Sequence, residues 1–361
     1  MLEWTGREGP PDGQDVVVLA SGVLRHRTTD MKQKDDSGSR RRTPWTGAEA
    51  PSALQAFIDA TNASNYERRH PSLASTGEAE MLNGFEATCC RRCGSKDFHR
   101  YGRTRNGVFR YRCRGCGRTF CITTNTIFDG HKVSVSEWLD FLLTIFGYGS
   151  FSLTSKTNRN AYNTTRYWMD KVFLVLKGCQ DGVVLGGVVF IDETYVSVCK
   201  GDVQENGRGY EYPGISRNKM CIGVGTDRSR VVCIYEKTGK PTVASTREAF
   251  AGHIERGSTL RHDREHSHGA LVDGLGLCSE AWSSKELMHM SDGDNPLDPI
   301  NKVCAMLKRF LRAHSGFSRC DLQDYLNLFC FIVNPPHDRF RKVEAFLNLA
   351  LHLPVLHRYR G

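Results

Sequence analysis

The sequence predicts an α/β protein in which a mixed β-sheet is flanked by helices. Short apolar, β-branched runs follow one another between residues 183 and 263, and amphipathic patterns fill residues 297–353. Runs of the first kind favour strands, and apolar residues three or four positions apart favour helices. A cysteine-rich segment and a helical segment precede the sheet, so the sequence predicts two smaller modules in front of the main domain.

Composition divides the chain into five segments. The first is rich in Gly, Asp, Arg, Ser and Thr, which is typical of a disordered or weakly structured leader. The predicted segments are this leader at 1–80, the cysteine-rich module at 85–125, a helical segment at 131–180, the main domain at 183–335 and a C-terminal helical tail at 336–361.

The net charge of +9 is concentrated in one part of the chain. Residues 81–130 hold ten Lys or Arg and three Asp or Glu, which indicates a polyanionic partner, most often nucleic acid. The alternative is a basic surface that serves solubility alone. No run of about 18 apolar residues predicts a membrane span, and no secretion signal is recognisable. We therefore expect an intracellular protein, in the cytoplasm or nucleoid, or in the nucleus of a eukaryotic host.

Two Cys-x-x-Cys pairs, 19 residues apart, comprise Cys90, Cys93, Cys113 and Cys116. In an intracellular protein, two such pairs place four thiolates at the corners of a tetrahedron, which suits Zn²⁺. Cys89 and Cys121 are rival ligands, but neither forms a spaced pair. Four thiolates leave no open position for a substrate, so the sequence predicts a structural zinc site.

Between the cysteine pairs, aromatic and basic residues alternate in 98–101 and 109–112. This alternation predicts the strands of a zinc ribbon with one apolar and one cationic face. The predicted DNA contacts are Arg100, Arg103, Arg105, Arg110, Arg112 and Arg114, together with Arg166 of the helical segment.

The helical segment has the outline of a helix-turn-helix. One helix ends at Phe146, a break follows at 147–150, a short helical stretch covers 153–157, and a longer helix runs over 162–176. A recognition helix would begin around residues 160–166. The alternative is a plain helical spacer, because the turn is longer than usual.

The main domain opens with an apolar strand that carries Asp192 and Glu193. The elements predicted after it are strands at 220–225 and 230–236, a helix at 245–254 and a strand at 257–263 that ends in Asp263. Three antiparallel strands, a helix and a further strand is the order of a ribonuclease-H-like sheet, which places Asp263 beside Asp192. Two carboxylates so placed can bridge divalent cations. Glu193 faces the other side of its strand, so we assign it a supporting role.

A helix predicted over 297–313 carries Asn301 and Lys308 on one face, because seven residues make about two turns. Asn301 offers a carbonyl oxygen to a metal, and Lys308 offers a charge to a phosphate. Both are equally compatible with an ordinary helix surface. The histidines His262, His266 and His268 suggest either a second zinc site or, in our preferred interpretation, residues that support Asp263 or contact DNA.

Together these motifs resemble zinc-ribbon insertion-sequence transposases of the DDE type, in particular the insertion-sequence-1595 group. The resemblance covers residues from about 90 to 333. It is carried by the cysteine pairs, 190–196, 262–263, 295–311, 314–317 and 325–329. In that group the third acid is often Asn, with a Lys seven positions later, as with Asn301 and Lys308. The separations of 71 and 38 residues between the three ligand positions are typical of the group.

The resemblance implies a transposase that binds the ends of its element, cleaves DNA and joins it to target DNA by two-metal-ion phosphoryl transfer. Mg²⁺ or Mn²⁺ would be held by Asp192, Asp263 and Asn301, with Lys308 at the phosphate. The protein would act on DNA as a homodimer or larger assembly. The alternatives are a zinc-ribbon DNA-binding regulator with an inactive nuclease-like domain and a stand-alone structure-specific nuclease.

Overall fold

The computed structural model describes residues 77–130, 135–158, 160–198, 218–291 and 293–352, with two short strands and a few single positions before them. The chain forms two units, Met1–Ala50 and Pro51–Gly361. In the first unit, β1 (Val16–Val18) pairs antiparallel with β2 (Leu24–His26). Most of the predicted leader at 1–80 lies outside the described residues.

The second unit contains helices and three-residue to nine-residue strands. In chain order, the described elements are α1 (Glu78–Asn83), β3 (Phe98–Arg103), β4 (Phe109–Cys113), β5 (Thr119–Cys121), α2 (Val135–Phe146), α3 (Phe151–Thr157), α4 (Tyr162–Leu176), β6 (Val188–Val196), β7 (Met220–Thr226), β8 (Val231–Thr238), α5 (Val243–Phe250), β9 (Thr259–Asp263), α6 (His266–Leu275), β10 (Cys278–Trp282), α7 (Ser284–Leu287), α8 (Asp298–Ala313), α9 (Leu322–Val333) and α10 (Arg339–His352).

A five-stranded mixed sheet forms the centre of the main domain, in the order β10-β9-β6-β7-β8. The strands β6, β7 and β8 form the predicted antiparallel meander, whereas β9 is parallel to β6 and β10 is parallel to β9. The predicted mixed α/β sheet flanked by helices is therefore confirmed.

Helices cover both faces of this sheet. Successive residues of β6 point to opposite faces, and each face packs in a different hydrophobic core. Phe190 packs in the core that contains residues of α8 and α9. Val189 and Ile191 pack in the core that contains Phe250 of α5 and Leu271 of α6. Asp192 and Glu193, which follow on the same strand, consequently face opposite sides of the sheet.

The cysteine-rich module falls on a separate antiparallel sheet, β3-β4-β5. The next three helices lie at the predicted positions, and the rings of Trp138 in α2 and Trp168 in α4 stack with centroids 4.5 Å apart. These helices belong to the same core as α9 and α10. Eight of the fifteen residues of α4 are buried. The exposed part of this helix lies near its first turn and includes Arg166.

The sequence analysis predicted neither the helix α6 nor the edge strand β10. In α6, Gly269 and Gly274 weaken the helical pattern, and β10 is short and without fully buried residues. Asp298 is the first residue of α8, and its carboxylate pairs with Lys302 at 2.6 Å. Within the described residues, no helix has the length and apolar character needed to cross a membrane.

Candidate active site and metal-binding clusters

The four cysteines of the two spaced pairs meet in the module built on β3, β4 and β5. Their Sγ atoms lie within 4.8 Å of one another, with 3.8 Å between Cys90 and Cys116 and 3.6 Å between Cys93 and Cys113. A tetrahedron with Zn–S bonds of about 2.3 Å has S–S edges of about 3.8 Å, so the donor set fits Zn²⁺. The backbone N–H groups of Arg92 and Cys116 donate to the sulfurs of Cys90 and Cys113.

The rival cysteines lie outside this cluster. The Sγ atom of Cys121 is 3.2 Å and 3.4 Å from the hydroxyl groups of Thr123 and Thr124. In the part of the chain that the structure describes, the four-sulfur group includes neither Cys89 nor Cys121. The spacing rule therefore selects the same four cysteines as the geometry.

One face of the β3-β4 ribbon is cationic and exposes an aromatic ring. The register pairs His99 with Arg112 and Arg100 with Tyr111, so His99, Tyr101, Arg110 and Arg112 share one face. The guanidinium groups of Arg110 and Arg112 lie 5.3 Å and 5.4 Å from the centroid of the Tyr101 ring, which is 42% exposed. Arginines around an exposed aromatic ring are suited to phosphates and bases.

The other predicted arginines of the ribbon are arranged differently. Arg100 and Arg103 lie 3.8 Å and 4.8 Å from the centroid of Phe109, on the opposite face. Arg114 pairs with Asp97 at 3.4 Å. Two further predicted contacts are exposed on the loop after β3 and on α4, namely Arg105 and Arg166.

Asp192 and Asp263 occupy equivalent positions on adjacent parallel strands. Phe190 of β6 is opposite Arg261 of β9, and each aspartate follows two residues later. Asp263 lies close enough for its charge to add, after burial and Glu193, to the rise in the pKa of Asp192. The structure thus brings together the two acids that the sequence predicts as metal ligands.

Asp192 is in surroundings that favour a bound cation. Burial, followed by the charges of Glu193 and Asp263, raises the pKa of Asp192 to about 7. A buried carboxylate with acidic neighbours is costly unless a cation offsets its charge. Carboxylate oxygens are hard ligands that suit Mg²⁺ or Mn²⁺, so the residues present fit such an ion.

A buried thiol on α8 approaches Asp192. The Sγ atom of Cys304 lies 3.8 Å from Oδ2 of Asp192. Asn301 and Lys308, three residues before Cys304 and four after it, share its face of the helix and are both exposed. The charge of Lys308 partly opposes the rise in the pKa of the Cys304 thiol, which burial and then Asp192 produce.

Glu193 lies on the other face of β6, as predicted, and contacts α6. Its Oε1 atom is 2.8 Å from Nε2 of His268, a residue whose side chain is fully buried. His266, in contrast, is exposed. The contact between Glu193 and His268 was not predicted, because α6 itself was not.

No protein-family model matches the chain. It is similar to an uncharacterized protein in transposable element ISH50 of Halobacterium salinarum, with 27% identity over 259 residues that cover 66% of this chain and 83% of that protein.

Among solved structures, this chain is similar to a protein chain from a simian T-cell lymphotropic virus intasome in complex with the PP2A regulatory subunit B56 gamma. That match has 13% identity and a TM-score of 0.28, and it covers 61% of this chain and 74% of that chain. The match to the catalytic domain of Mos1 mariner transposase has 15% identity and a TM-score of 0.27. It covers 51% of this chain and 88% of that domain's chain. The match to a Mos1 transposase paired-end complex with left transposon end has 13% identity and a TM-score of 0.25. It covers 88% of this chain and 80% of that chain.

Proposed function

We propose that the protein is a DDE-type transposase of the insertion-sequence-1595 group, with Asn301 in place of the third acid. It binds the ends of its insertion element, cleaves DNA strands and joins them to target DNA. The observation that carries this proposal is the placement of Asp192 and Asp263 on adjacent parallel strands, with α8 packed beside β6. The similarity to a protein in a transposable element supports it.

In this proposal the chain's own residues hold the metal and the substrate. Asp192 and Asp263 bind Mg²⁺ or Mn²⁺ through carboxylate oxygens, and Asn301 binds through its amide oxygen. When bound, the metal supplies positive charge that activates the attacking oxygen and stabilises the leaving oxygen of the phosphodiester. Lys308 binds the phosphate. The neutral Asn301 removes one charge relative to a third acid, so metal binding depends more strongly on the phosphate.

DNA binding is assigned to the modules that precede the main domain. The cysteine cluster holds structural Zn²⁺ and keeps β3 and β4 in place. The face that carries Tyr101, Arg110 and Arg112 contacts the element end, and Arg166 adds a contact from α4. The protein acts inside the cell, as a homodimer or larger assembly on DNA.

Strand cleavage and joining test the proposal, with duplexes that carry the terminal repeats flanking the gene and with Mg²⁺. The wild-type protein should cleave and join these ends. Asp192→Ala and Asp263→Ala should each reduce the rate by at least about 100-fold, equivalent to about 2.7 kcal/mol, and still bind the duplex. Asp273→Ala, on the exposed surface of α6, is the matched control and should keep the wild-type rate.

The same assay separates the alternatives. Full activity in both Asp192→Ala and Asp263→Ala would contradict the mechanism. Tight binding of the ends without metal-dependent cleavage by the wild-type protein would identify a DNA-binding regulator. Cleavage of branched duplexes regardless of end sequence, without joining, would identify a stand-alone nuclease.

A further inference from the structure

A buried histidine connects the two strands that carry Asp192 and Asp263. His268 lies in the first turn of α6, and its side chain is fully buried. Its Nε2 atom is 2.8 Å from Oε1 of Glu193, whose side chain is 5% exposed. Its Nδ1 atom is 3.3 Å from Oδ1 of Asp263.

The geometry assigns donor roles to both ring nitrogens of His268. Ionised carboxylates only accept hydrogen bonds, so a nitrogen that faces one must donate.

This arrangement argues against a second metal site at the histidines. One ligand atom each from His262, Asp263 and His268 lies within 4.8 Å of the others. A metal, however, needs a deprotonated imidazole nitrogen, whereas Nε2 of His268 faces the carboxylate of Glu193. Nδ1 of His268 also lies 3.2 Å from Nδ1 of His262, but that nitrogen faces the backbone carbonyl of Asp263 and donates to it, so the carboxylate of Asp263 is the acceptor left for Nδ1 of His268. His268 therefore binds the ligand residue Asp263 and not an ion.

We propose that His268 is a positioning residue, which holds the carboxylate of Asp263 through one nitrogen and is itself anchored on Glu193 through the other. This inference rests on the proposed function, because it assumes that Asp192 and Asp263 bind the catalytic metal. Both described donors to Asp263, His268 and the backbone N–H of Glu265, act on Oδ1, which leaves Oδ2 for a cation. Glu193 adjoins Asp192, so the network also fixes the two aspartates relative to each other.

Binding of Mn²⁺ to the full chain without DNA tests this inference, with electron paramagnetic resonance as the readout. His268→Gln should weaken Mn²⁺ binding by between about 10- and 100-fold, the loss typical when a partner of a metal ligand is removed. Its circular dichroism and Tm should remain close to those of the wild type. His266→Gln is the matched control, since His266 is exposed in the same turn of α6, and it should bind Mn²⁺ normally.

Two variants of Glu193 test the anchor while His268 stays unchanged. Glu193→Gln retains an amide oxygen that accepts from Nε2, so it should bind Mn²⁺ more tightly than Glu193→Ala. The double variant Glu193→Ala/His268→Gln should bind Mn²⁺ about as weakly as His268→Gln alone, because both changes act on one network. Additive losses would contradict a shared network.

Asp263→Ala separates a failure of this inference from a failure of the proposed function. If Asp263→Ala abolishes Mn²⁺ binding while His268→Gln and Glu193→Ala leave it at the wild-type affinity, the positioning role is wrong and the metal site stands. If Asp263→Ala binds Mn²⁺ as well as the wild type does, the metal site itself is wrong, and the positioning role is overturned with it.

Discussion

At the scale of single residues, Asp192 combines burial with acidic neighbours. Its pKa is raised to about 7 from an ordinary value of 3.8, first by burial and then by Glu193 and Asp263. Between these two pH values the folded state binds more protons than the unfolded state. The free energy of unfolding of the metal-free protein therefore falls as pH rises through that window. A bound cation would offset this loss. Shifted pKa values of this kind are common at functional sites.

Asp192→Asn should consequently stabilise the metal-free protein at pH 8, because it removes a buried charge and nearly preserves the shape. We expect a rise in Tm of a few degrees, since 1 kcal/mol shifts Tm by about 2–4 °C in domains of 150–250 residues. The measurement is thermal unfolding in buffer freed of Mg²⁺ and Mn²⁺ by a resin, so that the proposed zinc ion would be retained. Asp273→Asn should leave Tm unchanged. A lower Tm in Asp192→Asn would show that the ionised carboxylate stabilises the fold.

Asn301 is predicted to act as a neutral ligand on the exposed face of α8. Asn301→Ala should slow strand cleavage by at least about tenfold at low Mg²⁺, equivalent to about 1.4 kcal/mol. Asn301→Asp keeps an oxygen and adds a charge, so it should need less Mg²⁺ than Asn301→Ala. Lys302→Ala, a change at the neighbouring exposed residue that pairs with Asp298, is the control. A wild-type rate for Asn301→Ala across the whole Mg²⁺ titration would eliminate this role.

At the scale of elements, the register of β3 and β4 separates the predicted DNA-binding arginines into two groups. Arg110 and Arg112 share a face with Tyr101, whereas Arg100 and Arg103 lie over Phe109 on the opposite face. The first group has the exposed aromatic ring beside it. We therefore expect the proposed contact with DNA to be made mainly by that face.

The salt dependence of DNA binding tests this assignment. Each phosphate contact adds about 0.9 to the slope of log K against log salt concentration. Arg110→Gln/Arg112→Gln should lower the slope by about 2, and Arg100→Gln/Arg103→Gln should lower it by less than 1. The measurement is fluorescence anisotropy of an end duplex at several salt concentrations. Equal losses in the two double variants would show that both faces contact DNA.

Some elements of the main domain have strong sequence patterns and others do not. The β-branched runs of β6, β7 and β8 and the acid at the end of β9 carry strong local patterns, so the meander and the pairing of Asp192 with Asp263 could be predicted. The helix α6 contains glycines and β10 is a short edge strand, so neither has such a pattern. The contacts of Cys304 and His268 depend on how α8 and α6 pack on the sheet, which periodicity does not determine.

At the scale of the whole molecule, one arginine connects the cysteine module to the C-terminal helix. Arg91 lies inside the first cysteine pair, between Cys90 and Cys93, and is buried. Its guanidinium donates to the carbonyl oxygens of Leu351 and His352 at the end of α10. The last carbonyl groups of a helix lack partners within the helix, and a cation there is favourable. The cysteine cluster and α10 should therefore be energetically coupled.

Removal of the proposed zinc ion should loosen the end of α10 through this contact. The cysteine module has a small core of its own, so chelation should disorder it and release Arg91. We expect amide hydrogen exchange in residues 347–352 to speed up by about tenfold, equivalent to about 1.4 kcal/mol of opening free energy, while exchange in β7 is unchanged. Arg91→Met should produce the same change with zinc still bound, whereas Arg92→Met, at the exposed neighbouring position, should not. Unchanged exchange at the end of α10 after complete loss of zinc would show that the two elements are independent.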